Sequence, residues 1–304
     1  MPFSPTTLAI LYLLLAITLF DGMGLIIKHL TPRYGAAELS AYRNVVGLIP
    51  SFIVLWRSAD WHAKGRQLGM RQWRLGLARG VVLTFAQYFF YLSLGILSFA
   101  TAATITYANA LFMVALAVPL LGEKVGRVRW MAVLVGFVGV ILVTGPGRDT
   151  FTPAALLPLV AAFCYALIGV TSRLIDSDVP TALINLYSSA VAALGALILT
   201  LATTGFSPIT APTDLFWIAA MGTLGGCAVL VLITAFRMAE QSDLAPFNYF
   251  GIPIAFVLGW VFFDEAPWNE LFPGALLIIA GGLLIIWRER RLKAAARSAG
   301  VQET

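Results

Sequence analysis

The chain has 304 residues, 60% hydrophobic and only 12% charged, with a net charge of +5 and mean hydropathy +0.87. A water-soluble domain carries about twice that charged fraction, so the composition excludes a soluble globular protein and calls for lipid as the solvent. The basic residues sit in a few loops and at the C-terminal end, without interleaved stacking aromatics, so no nucleic-acid partner is expected.

A membrane-spanning helix needs about 20 mostly apolar residues. Ten stretches qualify, at roughly 8–28, 38–57, 73–93, 100–121, 129–145, 153–174, 181–203, 213–236, 243–263 and 269–288. In lipid each must satisfy its own backbone, and runs this long without period-two alternation are helices. The expected fold class is therefore an all-α membrane protein. Short turn signals separate the stretches, among them Gly145-Pro146-Gly147 and Asp178-Val179-Pro180. The first stretch lacks a basic leader segment and reads as a retained helix rather than a signal peptide.

Ionisable residues inside the stretches are few. Asp21 is in the first, followed by Gly22-Met23-Gly24, where two glycines allow a bend or a close contact and Met23 can form an adaptable wall. Arg43 is in the second, next to Tyr42, and Arg79 opens the third. At 1.5 Å per residue, Asp21 lies about 20 Å into its helix and Arg43 about 9 Å into an oppositely running one, so their depths agree. They are expected to face each other, either as a tie between two helices or as a substrate or proton site. Arg79 is expected to reach back to the interface.

Further along, Tyr88 and Tyr91 share a face of the third stretch. Tyr91 fits the interfacial aromatic belt. Tyr107 and Asn109 lie in the fourth, Tyr165 in the sixth, Tyr187 in the seventh, Asn248 and Tyr249 in the ninth. Aromatics with a few polar groups suit a pocket for a small amphipathic solute, although packing alone also accounts for them. Cys164 and Cys227 lie within apolar runs and read as small core residues. His29 and His62 lack metal-ligand spacing, so neither metal nor cofactor is expected, and no catalytic motif occurs.

The two halves repeat. At a shift of 142, Gly80 falls on Gly222, Tyr107 on Tyr249, and Leu121-Gly122-Glu123 on Phe263-Asp264-Glu265; at 145, Gly24 falls on Gly169, Lys28 on Arg173 and Tyr42 on Tyr187. Five helices per half is an odd number, so the halves, 8–145 and 153–288, enter the membrane from opposite sides as an inverted repeat around a central cavity. With the N-terminus inside, fifteen Lys and Arg fall on the cytoplasmic side, including the basic tail 289–304, against three outside (Lys28, Arg33, Arg148). That asymmetry puts both termini in the cytoplasm. The tyrosine pairs then define two layers, Tyr42 with Tyr107 outside the midplane and Tyr187 with Tyr249 inside it, either alternating gates or ordinary packing. Glu123 and Glu265, just past helix ends, read as caps and salt-bridge partners.

Pro119-Leu120-Leu121-Gly122-Glu123 with Gly136 and Gly139, and Pro253 through Asp264-Glu265 with Gly281-Gly282, resemble the drug/metabolite transporter superfamily, of the EamA-like ten-helix kind. The resemblance extends over about 8–288, and within it the chain looks like the YddG-like exporters of aromatic and other amino acids. It implies a basket of helices around a cavity and export of small metabolites across a bacterial inner membrane. Asp264 departs from the Gly-Glu pattern of the first half. The expected activity is a secondary transporter or facilitator, acting as monomer or homodimer, that exports amino acids. The alternatives are another solute (a quaternary amine, sugar phosphate or drug-like cation), a lipid-modifying enzyme or a helper subunit.

Overall fold

The computed structural model describes residues 5–63, 65, 68–122, 126–144, 152–175, 179–238, 244 and 247–298. Besides the short helices Ala59–Ala63 and Trp268–Leu271, ten longer helices run through them: α1 Pro5–Leu30, α2 Ala36–Arg57, α3 Trp73–Leu94, α4 in two pieces (α4a Phe99–Thr106 and α4b Asn109–Leu121), α5 Arg127–Thr144, α6 Leu156–Thr171, α7 Thr181–Thr203, α8 Pro212–Met238, α9 Gly251–Phe263 and α10 Gly274–Ser298. Seven of these segments are long and apolar enough to cross a membrane, and α5, α9 and α10 hold shorter apolar runs. No strand occurs among the described residues. Glu123, Lys124, the Gly145-Pro146-Gly147 turn and Asp178 lie outside them.

Two boundaries differ from expectation. Trp268–Leu271 forms a separate turn before Pro273, so the last helix starts at Gly274. It then runs on to Ser298, through most of the expected tail, because this stretch is rich in Ala, Leu, Arg and Lys, all good helix formers.

The fourth span breaks at Tyr107. Ala108 N bonds to Ile105 O at 3.0 Å and Leu111 N to Ala108 O at 3.0 Å, a tightened turn that joins α4a to α4b. The ninth span does the same at Tyr249, where Phe250 N bonds to Phe247 O and Ile252 N to Tyr249 O, both at 3.1 Å. The two breaks occupy equivalent positions in the halves.

Neighbour relations carry the same symmetry. α1 packs on α8, α8 on α2, α2 on α7, α7 on α3, α3 on α6 and α6 on α4b, while α9 lies against α1 and α4a, and α5 against α10. Exchanging every helix for the one five places on returns this same set. Single contacts follow it too: a side chain on Gly80 would collide with Val191, and one on Gly222 with Val46, its counterpart. The α5–α10 seam is built on backbone. A Cβ on Gly281 would stand 2.7 Å from the Ala132 carbonyl oxygen and 2.8 Å from Gly136 N, and one on Gly139 would stand 2.6 Å from Gly274 O. Small residues let helices approach this closely in lipid.

The helix ends explain Asp264. Gly122 closes α4b at φ 69°, and Asp264 closes α9 at φ 54°, both left-handed. Glycine takes that conformation freely, and aspartate is among the few other residues that enter it. The departure from Gly-Glu thus leaves the backbone role intact. Asp264→Gly should keep the melting temperature of detergent-solubilised protein or raise it. Asp264→Val should lower stability by about 1–2 kcal/mol.

An even number of spans puts both chain ends on one face. We call this the terminal face; the opposite one, with the 31–35, 95–98, 204–211 and 264–267 connections, is the distal face.

Candidate functional site

Each polar side chain within the bundle is set by its helix register. Asp21 projects from α1 and is 8% exposed; its Oδ2 has no hydrogen-bond partner. Arg43 projects from α2 and is 7% exposed. Its Nη1 donates to Asn44 Oδ1 at 2.9 Å, while Nε is buried without a partner. The two do not form the expected ion pair, because α8 stands between α1 and α2. Gly225 of α8 receives both Met23 Sδ, at 2.6 Å from the position of a Cβ, and Arg43 Nε, at 2.9 Å from it. Met23 is thus the wall beside Arg43, and Asp21 turns elsewhere.

Ile17, one turn before Asp21 on α1, and the Tyr107 ring both crowd Gly251 of α9. Tyr165, on α6, is half-buried. Tyr107, half-buried, and Tyr249, 5% exposed, pack on each other with ring centroids 6.5 Å apart. That contact overturns the expected layers: both sit at the helix breaks, and the breaks meet, so these two cannot belong to opposite gates. Tyr42 and Tyr187 do lie at opposite ends of the bundle. Tyr42 donates to Glu38 Oε1 at 3.0 Å on the distal side, and Tyr187 donates to Leu68 O at 2.8 Å on the terminal side.

Arg79 is 9% exposed; its Nη1 donates to Ile168 O at 2.5 Å and to Thr171 Oγ1 at 3.1 Å, at the C-terminal end of α6. A cation there complements the unpaired carbonyls of the helix end. Tyr91 is 1% exposed, in the core rather than an interfacial belt. Tyr88 is half-buried, edge-on to Phe89. Asn109 and Asn248 are half-buried beside the two breaks.

Several polar residues escaped the sequence reading. Ser40 Oγ donates to Gln87 Oε1 at 2.8 Å, Asn44 Nδ2 to the same oxygen at 2.5 Å, and Gln87 Nε2 to Asn44 Oδ1 at 3.3 Å. This network joins α2 to α3 and carries Arg43. Its signal was available, Ser40 and Asn44 being one turn apart in an apolar run. On the distal face, Glu38 accepts from Ser207 N and Oγ, and Asp214 pairs with Arg33 and accepts from Tyr34. Also distal, Lys28 pairs with Glu265 at 2.8 Å, as the salt-bridge reading of Glu265 anticipated. The position equivalent to Arg43 in the second half is Ser188, whose Oγ is buried without a partner.

A carboxyl and a guanidinium, both buried and neither charge-paired, are expensive features to keep in a bilayer unless something meets them. Among the described residues no group of His, Cys, Asp and Glu could hold a metal ion. What the arrangement can meet is a small solute with polar groups of both signs, against phenols at two helix breaks.

Comparison with known proteins decides the family. The profile of the EamA-like transporter family matches residues 7–145 and 152–287. The chain belongs to the EamA-like transporter family. An S-adenosylmethionine uptake transporter of Rickettsia bellii (strain RML369-C) is 27% identical over 265 residues, 87% of this chain and 88% of its own. A riboflavin transporter of Brucella anthropi is 25% identical, covering 82% and 87%, and the pseudopaline exporter CntI of Pseudomonas aeruginosa is 25% identical, covering 91% and 93%. A crystal structure 21% identical shares the fold, with a TM-score of 0.64 over 93% of this chain and 98% of that one. This EamA protein is therefore a transporter of small metabolites, not an enzyme. The relatives' solutes differ, so EamA membership gives the class of cargo and the site must give the rest.

Proposed function

We propose that this EamA protein is a secondary transporter or facilitator for amino acids and amino-acid-like zwitterions, exporting them by alternating access. The observation that carries the reading is the separate, unpaired pair of charges: Asp21 on α1, one turn from the contact of Ile17 and Tyr107 with Gly251, and Arg43 on α2, against Gly225 of α8. An α-ammonium fits the carboxyl and an α-carboxylate fits the guanidinium. The phenols, Met23 and the free amides of Asn109 and Asn248 would line the space for the side chain. S-adenosylmethionine, named for one relative, is itself an amino-acid zwitterion.

Counterflow in proteoliposomes tests this with four probes. L-phenylalanine and S-adenosylmethionine should exchange; phenethylamine and 3-phenylpropionate, each with one charge removed, should exchange at least about tenfold more slowly. Equal exchange of the single-charge analogues, or exchange of riboflavin alone, would sink the reading.

The same proposal places both termini and the basic end of α10 in the cytoplasm, on the charge asymmetry of the connections. A C-terminal reporter that is active only outside the cytoplasm should stay silent; activity would reverse the topology.

A further inference from the structure

Lys28 ends α1, Phe99 begins α4a and Glu265 follows α9, and one ion pair holds all three. Lys28 Nζ stands 2.8 Å from Glu265 Oε1 and donates to Leu97 O at 2.7 Å. The other Glu265 oxygen accepts from Phe99 N at 2.9 Å. Lys28 also lies 5.3 Å over the Phe263 ring. Beneath this knot Phe99, 1% exposed, fills the notch left by Gly24 of α1. Above it is a recess of about 380 Å³ on the distal face, lined by Lys28, His29, Thr31, Leu97, Phe263 and Glu265. The pair is not sealed from it: the Lys28 side chain is 11% exposed and that of Glu265 29%.

Opening the distal face along the α1–α9 contact that carries Lys28 and Glu265 would break the ion pair, release Leu97 and Phe99 at the start of α4a, and leave a half-buried cation and anion without partners, which is costly. A zwitterion in the recess changes this, because its carboxylate can take Lys28 while its ammonium takes Glu265. The charges then exchange partners rather than lose them.

We propose that the distal recess is a second, outer binding site for the transported zwitterion, and that Lys28–Glu265 is a latch which that solute opens. The proposal rests on the zwitterion reading above. It gives the empty protein a shut distal face; solute on the distal side opens it for exchange, and solute leaving the centre meets the same two charges as they part.

The test places a single cysteine below the latch. Ala103, one turn beyond Phe99 and 6% exposed, is changed to cysteine after Cys164→Ala and Cys227→Ala, and a membrane-impermeant maleimide is supplied from the distal face. Labelling should be slow without solute and rise about tenfold or more with L-phenylalanine, but not with phenethylamine or 3-phenylpropionate. Lys28→Met and Glu265→Gln should label fast without any solute, whereas Lys28→Arg, which keeps the charge, should stay slow. A monodisperse elution profile checks each variant's fold. Glu265→Gln and Lys28→Met labelling as slowly as the parent would overturn the latch, as would equal acceleration by the single-charge analogues. Should L-phenylalanine exchange normally in counterflow while these labelling results fail, only the latch is lost. Should wild-type protein not exchange it at all, the functional reading is lost, and the two charge-removing variants still report on the pair.

Discussion

Arg43→Gln should reduce exchange of L-phenylalanine in counterflow by tenfold to a hundredfold while leaving the protein folded. Removing a charged donor from a carboxylate costs about 1.5–3 kcal/mol, and each 1.4 kcal/mol is a factor of ten. The fold should survive because Arg43 is not a keystone of the network that carries it: Asn44 and Gln87 keep their mutual bonds and Ser40 keeps its own. Nε, already without a partner, strands nothing when it goes. Phenethylamine exchange should be unchanged, since that probe has no carboxylate. Lysine at 43 should restore only part of the activity, because a point charge lacks the planar fork of guanidinium. Loss of melting temperature with unchanged selectivity among the probes would instead assign Arg43 to helix packing. Asp21→Asn is the mirror experiment and should spare 3-phenylpropionate.

The largest structural effect is expected at the α5–α10 seam. Gly281→Leu puts a branched chain where a bare Cβ would already meet the Ala132 carbonyl oxygen and Gly136 N. Both obstacles are backbone, so no rotamer change relieves them. Overpacking costs about 1–3 kcal/mol where side chains can yield, and more where they cannot. Heating a detergent extract and measuring the monodisperse fraction by size exclusion should show a fall in apparent melting temperature of several degrees or failure to assemble. Gly69→Leu, at a position with nothing within 4 Å, is the matched control and should change nothing. Normal thermal behaviour of Gly281→Leu would mean that α5 and α10 do not pack this way in the membrane.

The fold was legible because its constraints are local and repeated. Spans follow from hydropathy, since lipid admits only closed backbones. The inverted repeat followed from glycines such as Gly80 and Gly222, which each admit a valine from the opposing half. The candidate site was less legible, because it depends on which helix stands beside which. Matching depths for Asp21 and Arg43 could not reveal that α8 separates α1 from α2. The tyrosine layers failed for the same reason. Distance along a helix describes depth, but Tyr107 and Tyr249 sit at breaks, where the ninth and fourth spans bend together. The partner of Arg79 was not legible either, because it is a carbonyl at the end of α6, a group that every sequence offers and none advertises.

Arg43 in one half and the unpartnered Ser188 in the other have a consequence for the resting protein. If the halves were identical, exchanging their conformations would produce the same molecule turned over, and the inward- and outward-facing forms would be degenerate. Unequal decoration lifts that degeneracy. Each interaction present in only one half adds its difference to the free energy between the two forms, and a few kcal/mol suffice to populate one of them almost exclusively. Detailed balance forbids this bias from concentrating solute on either side. What it sets is which compartment the empty site faces while it waits, and therefore on which side a passing solute is captured first.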